Sequence, residues 1–294
     1  MSVTWHSDEM PPPEPITGLG WLRVALRAPV LVVLVFGGLL LLLVLRLIEQ
    51  PLFGLRRPLT PHITRVVCRS ALWVMGLRFE RRGTPMQQNG GCVANHSSWI
   101  DIFALNASKT ICFVSKAEVA RWPGIGWLAR ATGTVFIERN AARAKAQTAL
   151  FAHRLLAGHK LLFFPEGTST DGLRVLPFKT TLFEAFFDPD LKQSIAVQPI
   201  TVNYTAPPSK DVRFFGWWGE MGFGEHLLPT LAAPRGGGIE VVYHAPLPVR
   251  DYPSRKALAK ASEARVRAAH RHSGQGAELA TITPEADPAD ALTS

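Results

Sequence analysis

Cysteine is scarce in this chain, and the three present, Cys68, Cys92 and Cys112, are odd in number and widely spaced. They fit neither a disulfide scaffold nor a zinc pattern, and read instead as reduced, mostly buried thiols in a cytosolic compartment. Three familiar catalytic signatures are also missing. There is no Gly-x-Ser-x-Gly elbow, no Gly-x-x-x-x-Gly-Lys loop and no His-Glu-x-x-His helix, which removes the nucleophile-elbow hydrolases, the P-loop nucleotide enzymes and the zincins. No internal repeat is visible. Acidic residues are outnumbered, 23 against 32 Lys and Arg, for a formal charge of +9. That balance favours an anionic partner: a phospholipid leaflet, an acidic carrier protein or nucleic acid. Nucleic acid is the weakest of these, because the arginines are scattered and many adjoin an apolar segment.

At 294 residues the chain accommodates one α/β unit of roughly 200 residues with appendages. From Ala28 to Leu45 it reads APVLVVLVFGGLLLLLVL, free of charge and at the lower limit for crossing a hydrocarbon core of roughly 30 Å. A cleaved signal peptide is the competing reading. It is opposed by the late start, the length, and a stretch from Arg46 to Pro51 without a small-residue cleavage site. Arg23 and Arg27 precede the run, whereas Arg46, Arg56, Arg57, Arg65 and Arg69 follow it. The positive-inside bias therefore puts the remaining chain on the cytoplasmic side of the inner membrane. A second stretch, Ile63 to Leu77, mixes apolar residues with Arg65 and Arg69 and suits a helix in the headgroup region. The two segments form either a hairpin seated in one leaflet or a span followed by a surface helix.

Further along, short β-rich runs alternate with helical patterns. Residues 91–94, 111–115, 134–137, 161–164, 196–203 and 239–244 read as strands. Residues 139–158, with Gly158 as a stop, and residues 178–187 read as helices. The alternation predicts an α/β fold: a mixed central sheet flanked by helices, preceded by a hydrophobic membrane-anchoring hairpin. The expected organisation is a polar segment at 1–27, anchoring helices at 28–78, the catalytic domain at 79–272 and a disordered, Ala-, Pro- and acid-rich tail at 273–294.

Two clusters carry chemistry. Directly after the first of these strands comes Asn95-His96-Ser97-Ser98-Trp99-Ile100-Asp101. On a continuous helix five residues turn through about 500°, which would leave His96 and Asp101 roughly 140° apart. They meet only if the helix starts after His96, with Ser98 as its N-cap and Asp101 in the first turn pointing back at the imidazole. Asp101 would then fix the tautomer while the other ring nitrogen takes a proton from an attacking hydroxyl. Ser98-x-x-Asp101 also reads as a plain capping box. The second cluster is Phe163-Phe164-Pro165-Glu166-Gly167-Thr168-Ser169-Thr170, again after a strand, where the sites of α/β sheets collect. Here Gly167 permits close approach of backbone N–H groups, Glu166 accepts and Thr168 donates; a β-turn with a solvated glutamate is the alternative. Arg139, at another strand end, could clamp an anionic headgroup or carrier phosphate or make an ordinary salt bridge. Lys179 shares that ambiguity, and Lys116 completes the set of candidate substrate-binding cations. The aromatic stretch Phe214 to Trp218 fits either the headgroup level or the core.

The ordered blocks Asn-His-x-x-x-x-Asp, Phe-Ile-Glu-Arg, Phe-Pro-Glu-Gly-Thr and Gln-Pro-Ile, spread over residues 60–247, resemble the glycerolipid acyltransferases that make phosphatidate from lysophosphatidate. The resemblance implies that His96 is the general base, Asp101 its partner, that Arg139, Glu166, Gly167 and Thr168 contact the acceptor lipid, and that Val197 to Ile200 lines the acyl site; Asn95, Lys116 and Lys179 join them as candidate substrate-binding residues. It implies acyl carrier protein or coenzyme A thioesters as donors and no metal or other cofactor. One departure matters: the family's third block continues Gly-Thr-Arg-Ser, but Gly167-Thr168 is followed here by Ser169-Thr170. The Ser-Thr-Asp-Gly continuation and Phe214-Phe215-Gly216-Trp217-Trp218-Gly219 look like the branch that acylates lyso-ornithine lipid and related aminolipids, so a lyso-aminolipid is the expected acceptor and lysophosphatidate the alternative. In the expected reaction His96 deprotonates the acceptor hydroxyl as it attacks the thioester, and backbone N–H groups near the His96 turn or Gly167 hold the oxyanion. A thioesterase and a non-catalytic lipid-binding protein are the rival readings.

Overall fold

The computed structural model describes residues 4–7, 11, 15–138 and 144–272. Helix α1 (Gly18–Phe53) is followed by α2 (Thr60–Val74) and strand β1 (Arg78–Arg82). Then come β2 (Gly90–Ala94), α3 (Ile100–Ser108), β3 (Cys112–Lys116), α4 (Ile125–Ala131), β4 (Val135–Ile137), α5 (Ala144–Leu156) and β5 (Leu161–Phe163). A 3-10 segment at Thr181–Phe187 leads to α6 (Pro189–Lys192), β6 (Ala196–Thr205), α7 (Phe223–Ala232), β7 (Gly238–Tyr243), β8 (Leu247–Pro248) and α8 (Arg255–Ala269).

The strands form one sheet in the order β1-β7-β6-β2-β5-β3-β4, with β8 beside β6. It is mixed, as expected: β6 runs antiparallel to β7 and β8, and the other neighbours are parallel. Strand β2 is buried along its whole length, the pattern of a central parallel strand covered on both faces. All six expected strands are present. Strand β1, Arg-Phe-Glu-Arg-Arg, escaped sequence reading because its charges suit an exposed edge. One face of the sheet packs on α2 and α3 through Leu72, Ile100 and Leu105. The other packs on α5, α8 and the 3-10 segment through Phe151, Phe163, Phe183 and Phe186, each buried aromatic contributing about 1.5–3 kcal/mol. Gly91 is required here, since a Cβ would lie 2.4 Å from the Phe186 ring. The three cysteines are buried, unpaired thiols.

The first helix corrects the expected boundary at residue 28. It begins at Gly18, capped by Thr17, whose side chain accepts from the Gly20 N–H. The sequence boundary followed the charge-free run, yet Arg23 and Arg27 are helical and serve packing: Arg23 donates to the Ala232 carbonyl, and Arg27 to those of Leu231 and Ala233. Cations at the C-terminal end of α7 also complement its dipole. At the other end, Glu49 accepts from the backbone N–H groups of Leu59 and Thr60 and from the Thr60 hydroxyl, so that α1 itself caps α2. Both ends of this 36-residue helix, about 54 Å long at 1.5 Å per residue, are thus tied to one folded domain. Its outer face leaves Val33, Leu40 and Leu47 bare at 72%, 65% and 77% exposure, a candidate membrane anchor by length and composition. The tail at 273–294 lies outside the described residues.

Candidate active site

The parallel strands β2, β5, β3 and β4 end on one edge of the sheet, and β6 ends there too. That edge collects His96 after β2, Phe164 to Thr170 after β5, Lys116 at the end of β3 and Tyr204 near the end of β6. The helix after β2 starts late enough to leave His96 in the turn, and Asp101 falls in its first turn. His96 Nδ1 lies 2.7 Å from Asp101 Oδ2. The same oxygen accepts from the backbone N–H groups of Ser97 and Ser98 at 2.9 and 3.0 Å. The capping alternative and the histidine–carboxylate pair therefore coexist: one carboxylate does both. Ser98 is not the N-cap; that position is Trp99, without a side-chain cap bond, while the Ser98 hydroxyl accepts weakly from Ile100 N–H.

Asp101 is fully buried, while the His96 side chain remains 20% exposed. The imidazole stacks on Phe164, with ring centroids 4.0 Å apart and planes 11° from parallel. With Nδ1 bound to Asp101, the free nitrogen of the ring is Nε2, which hydrogen-bonds to no described residue. Sequence reasoning missed Tyr204, whose hydroxyl donates to Asp101 Oδ1 at 2.5 Å. Burial first, and then the Asp101 charge, push this phenol well above its ordinary pKa, which keeps it a donor. No local motif marks Tyr204; only the pairing of β6 with β2 brings it to the site.

Two proposed substrate ligands have other work. The Asn95 side chain is buried and spans two strands, donating to the Val202 carbonyl and accepting from the Val202 N–H. Glu166 is 1% exposed; its two oxygens accept from the backbone N–H groups of His96 and Leu176, each at 2.7 Å. Burial, outweighing those two bonds, raises its pKa to about 8. Both side chains support the histidine turn instead of facing a ligand, because a strand end packed this tightly must satisfy its own polar groups first. The N–H groups of His96, Ser97 and Ser98 are all taken by the side chains of Glu166 and Asp101, which removes the His96 turn as an oxyanion donor.

The Gly-Thr-Ser-Thr loop does lie open beside the histidine. Gly167 adopts φ +74°, and a Cβ there would meet Lys179 Nζ at 2.9 Å; the structure thus brings Gly167, Thr168 and Lys179 together. The Thr168 hydroxyl accepts from the Trp5 N–H. Thr170 braces the turn through its N–H to the His96 carbonyl. The Asp171 carboxylate pairs with Arg174, and the Trp217 N–H donates to the Ser97 carbonyl. The aromatic stretch is therefore core packing: Phe215 and Trp218 are 3% and 2% exposed. Val197 to Ile200 is likewise buried strand interior, with Gln198 bonded to Met86, Thr84 and His244. Lys116 stands at the same sheet edge, half-buried. Arg139 lies outside the described residues.

The family model described as Acyltransferase matches residues 77–203. The chain is 57% identical over 263 residues to a lyso-ornithine lipid O-acyltransferase of Rhodobacter capsulatus, covering 90% of this chain and 95% of that protein. A protein of the same name from Brucella abortus is 38% identical over 77% of this chain and 86% of its own length. Among solved structures, a 1-acyl-sn-glycerophosphate acyltransferase from Thermotoga maritima has the same fold, with a TM-score of 0.59 at 20% identity, covering 90% of this chain and 98% of that one.

Proposed function

The chain belongs to the acyltransferase family and is a lysolipid acyltransferase; from that premise we propose that it transfers a fatty acyl group from a carrier thioester to the hydroxyl of a lyso-ornithine lipid, with His96 as general base. The observation that carries the acceptor is the likeness to the Rhodobacter capsulatus protein along nearly its whole length. The observation that supports the base is the His96–Asp101 pair at an open sheet edge.

In this mechanism Asp101 holds Nδ1 protonated, so that Nε2 is the basic nitrogen. The acceptor hydroxyl gives its proton to Nε2 as its oxygen attacks the thioester carbonyl. Collapse of the tetrahedral intermediate breaks the C–S bond, and the imidazolium returns the proton to the departing thiolate. The products are an ester and a free carrier thiol, with no acyl-enzyme and no metal. With the histidine turn's amides occupied, the oxyanion donors are the N–H groups of Thr168 and Ser169, which bond to no described residue. Tyr204 is a positioning residue that fixes Asp101. Lys116 and Lys179 stand at the sheet edge as cations for the carrier or headgroup. The α1–α2 hairpin sits in one leaflet of the inner membrane on its cytoplasmic side: a helix bound to the domain at both ends lies along it, and its bare apolar face requires lipid.

The test offers acyl carrier protein and coenzyme A thioesters to the purified chain in detergent, against lyso-ornithine lipid and lysophosphatidate in parallel. The expected result is diacylated ornithine lipid that depends on His96. Product from lysophosphatidate alone overturns the acceptor, and fatty acid release without any acceptor overturns the transferase mechanism in favour of thioester hydrolysis.

A further inference from the structure

The edge of the sheet opposite His96 carries a second site. An open cleft of about 600 Å³ lies where the start of β2, the start of β3 and the start of β5 meet the turn between α1 and α2. It is within the size range of small-molecule pockets, about 300–1,000 Å³. Five cationic or titratable nitrogen side chains line it, Arg56, Arg57, Lys109, His159 and Lys160, and among the described residues no carboxylate does.

The polar bonds these side chains make are to backbone carbonyls. Arg57 donates to Ala131, Lys109 to Met86, and Lys160 to Gln87 and Gln88, while His159 Nε2 bonds the carbonyl of Leu55. The buried Nδ1 of His159 has no partner among the described residues. Glu49 is close enough to interact with Arg57, but its two oxygens are committed to Leu59, Thr60 and Arg46. Burial, ahead of the surrounding positive charges, lowers the pKa of Arg57, Lys109, His159 and Lys160. Like charges gathered and partly desolvated without a counter-ion are costly unless an anion completes them.

The surroundings identify the anion. Leu42 and Phe53 of α1 form part of the wall, and Leu52, Leu55 and Leu59 beside it are exposed at 69%, 41% and 54%. Cations set against bare leucines at the end of an apolar helix match the boundary between headgroups and acyl chains. We propose that this cleft binds the phosphate of an anionic glycerophospholipid from the surrounding leaflet, with the acyl chains laid along the exposed face of α1. The site is separated from His96 by the length of β2, about 17 Å for its five residues at about 3.3 Å each. It therefore does not rest on the catalytic reading.

The test follows the melting temperature of the full chain in non-ionic detergent while dihexanoyl phosphatidylglycerol, dihexanoyl phosphatidylcholine or inorganic phosphate is added. The wild-type chain is expected to be stabilised by the phosphatidylglycerol alone. Lys109→Gln/Lys160→Gln should raise the half-saturating concentration by about tenfold or more, in line with the usual contribution of single lysines to anionic-lipid binding. Lys256→Gln/Lys260→Gln, which removes equal charge from exposed positions on α8, should leave it unchanged. Should the first variant not fold, Arg56→Gln, an exposed side chain at the rim, gives the same comparison with a smaller shift. An equal loss in the α8 variant, or equal stabilisation by phosphatidylcholine, overturns the site. Stabilisation by inorganic phosphate with none from phosphatidylglycerol overturns the lipid assignment.

Discussion

Replacing Asp101 by Asn removes one charge while leaving a nearly complete hydrogen-bond pattern. The amide oxygen can occupy the Oδ2 position and still accept from His96 Nδ1, Ser97 N–H and Ser98 N–H. The amide nitrogen then faces Tyr204, whose hydroxyl can accept from it and turn its own proton to Ser98, a neighbour within hydrogen-bonding reach. What is lost is the attraction between the carboxylate and the imidazolium that forms when His96 takes the acceptor proton. For charge centres about 4 Å apart at an effective dielectric of about 20, that attraction is about 4 kcal/mol. Spent on the transition state, it corresponds to a rate loss of about a thousandfold. The assay is initial-rate release of carrier thiol at saturating lyso-ornithine lipid, with melting temperature as the check on folding. In the His96→Ala background the same substitution should cost almost nothing further, because the two groups act as one unit. An Asp101→Asn enzyme that folds normally and keeps more than about a tenth of wild-type kcat refutes the pairing as the source of basicity.

Tyr204→Phe removes a charge-assisted hydrogen bond to Asp101, worth about 1.5–3 kcal/mol; kcat should fall by roughly tenfold or more while KM for the acceptor stays constant, and a rise in KM alone would instead make Tyr204 a substrate contact. Asn95→Ala leaves the Val202 N–H and carbonyl unpaired in the interior and should cost about 2–5 kcal/mol, read as a lower denaturation midpoint; unchanged stability with a raised KM would restore Asn95 as a ligand. For Glu166 the folded-state pKa, about 8, lies above the unfolded value, so its contribution is complete below about 4.5 and is lost as pH rises through about 8. Glu166→Gln should therefore flatten the decline in stability across that window, and a decline of unchanged steepness in chemical denaturation would show that Glu166 is ionised throughout.

The strand runs were legible because a strand buried on both faces is mostly apolar, as 161–163 is throughout and 196–203 is apart from Gln198, Thr201 and Asn203. The His96–Asp101 meeting was legible for a stereochemical reason: five residues cannot face each other on a helix, so the helix had to begin after His96. The candidate membrane anchor could be read from an uncharged apolar run. Sequence reasoning placed Glu166 and Asn95 correctly at the edge that holds the histidine, but gave them ligands to bind. Whether a polar side chain faces a ligand or the backbone depends on what packs over it, and that is a property of the assembled turn. Tyr204 and the start of α1 at Gly18 were hidden for a related reason. The partner of Tyr204 lies on α3, beside a different strand, and those of Arg23 and Arg27 lie at the far end of α7. The opposite cleft joins Arg57, Lys109 and Lys160 from three distant stretches. Composition and local period determined the elements, the candidate anchor helix and the histidine motif; sheet order alone decided which distant side chains became neighbours.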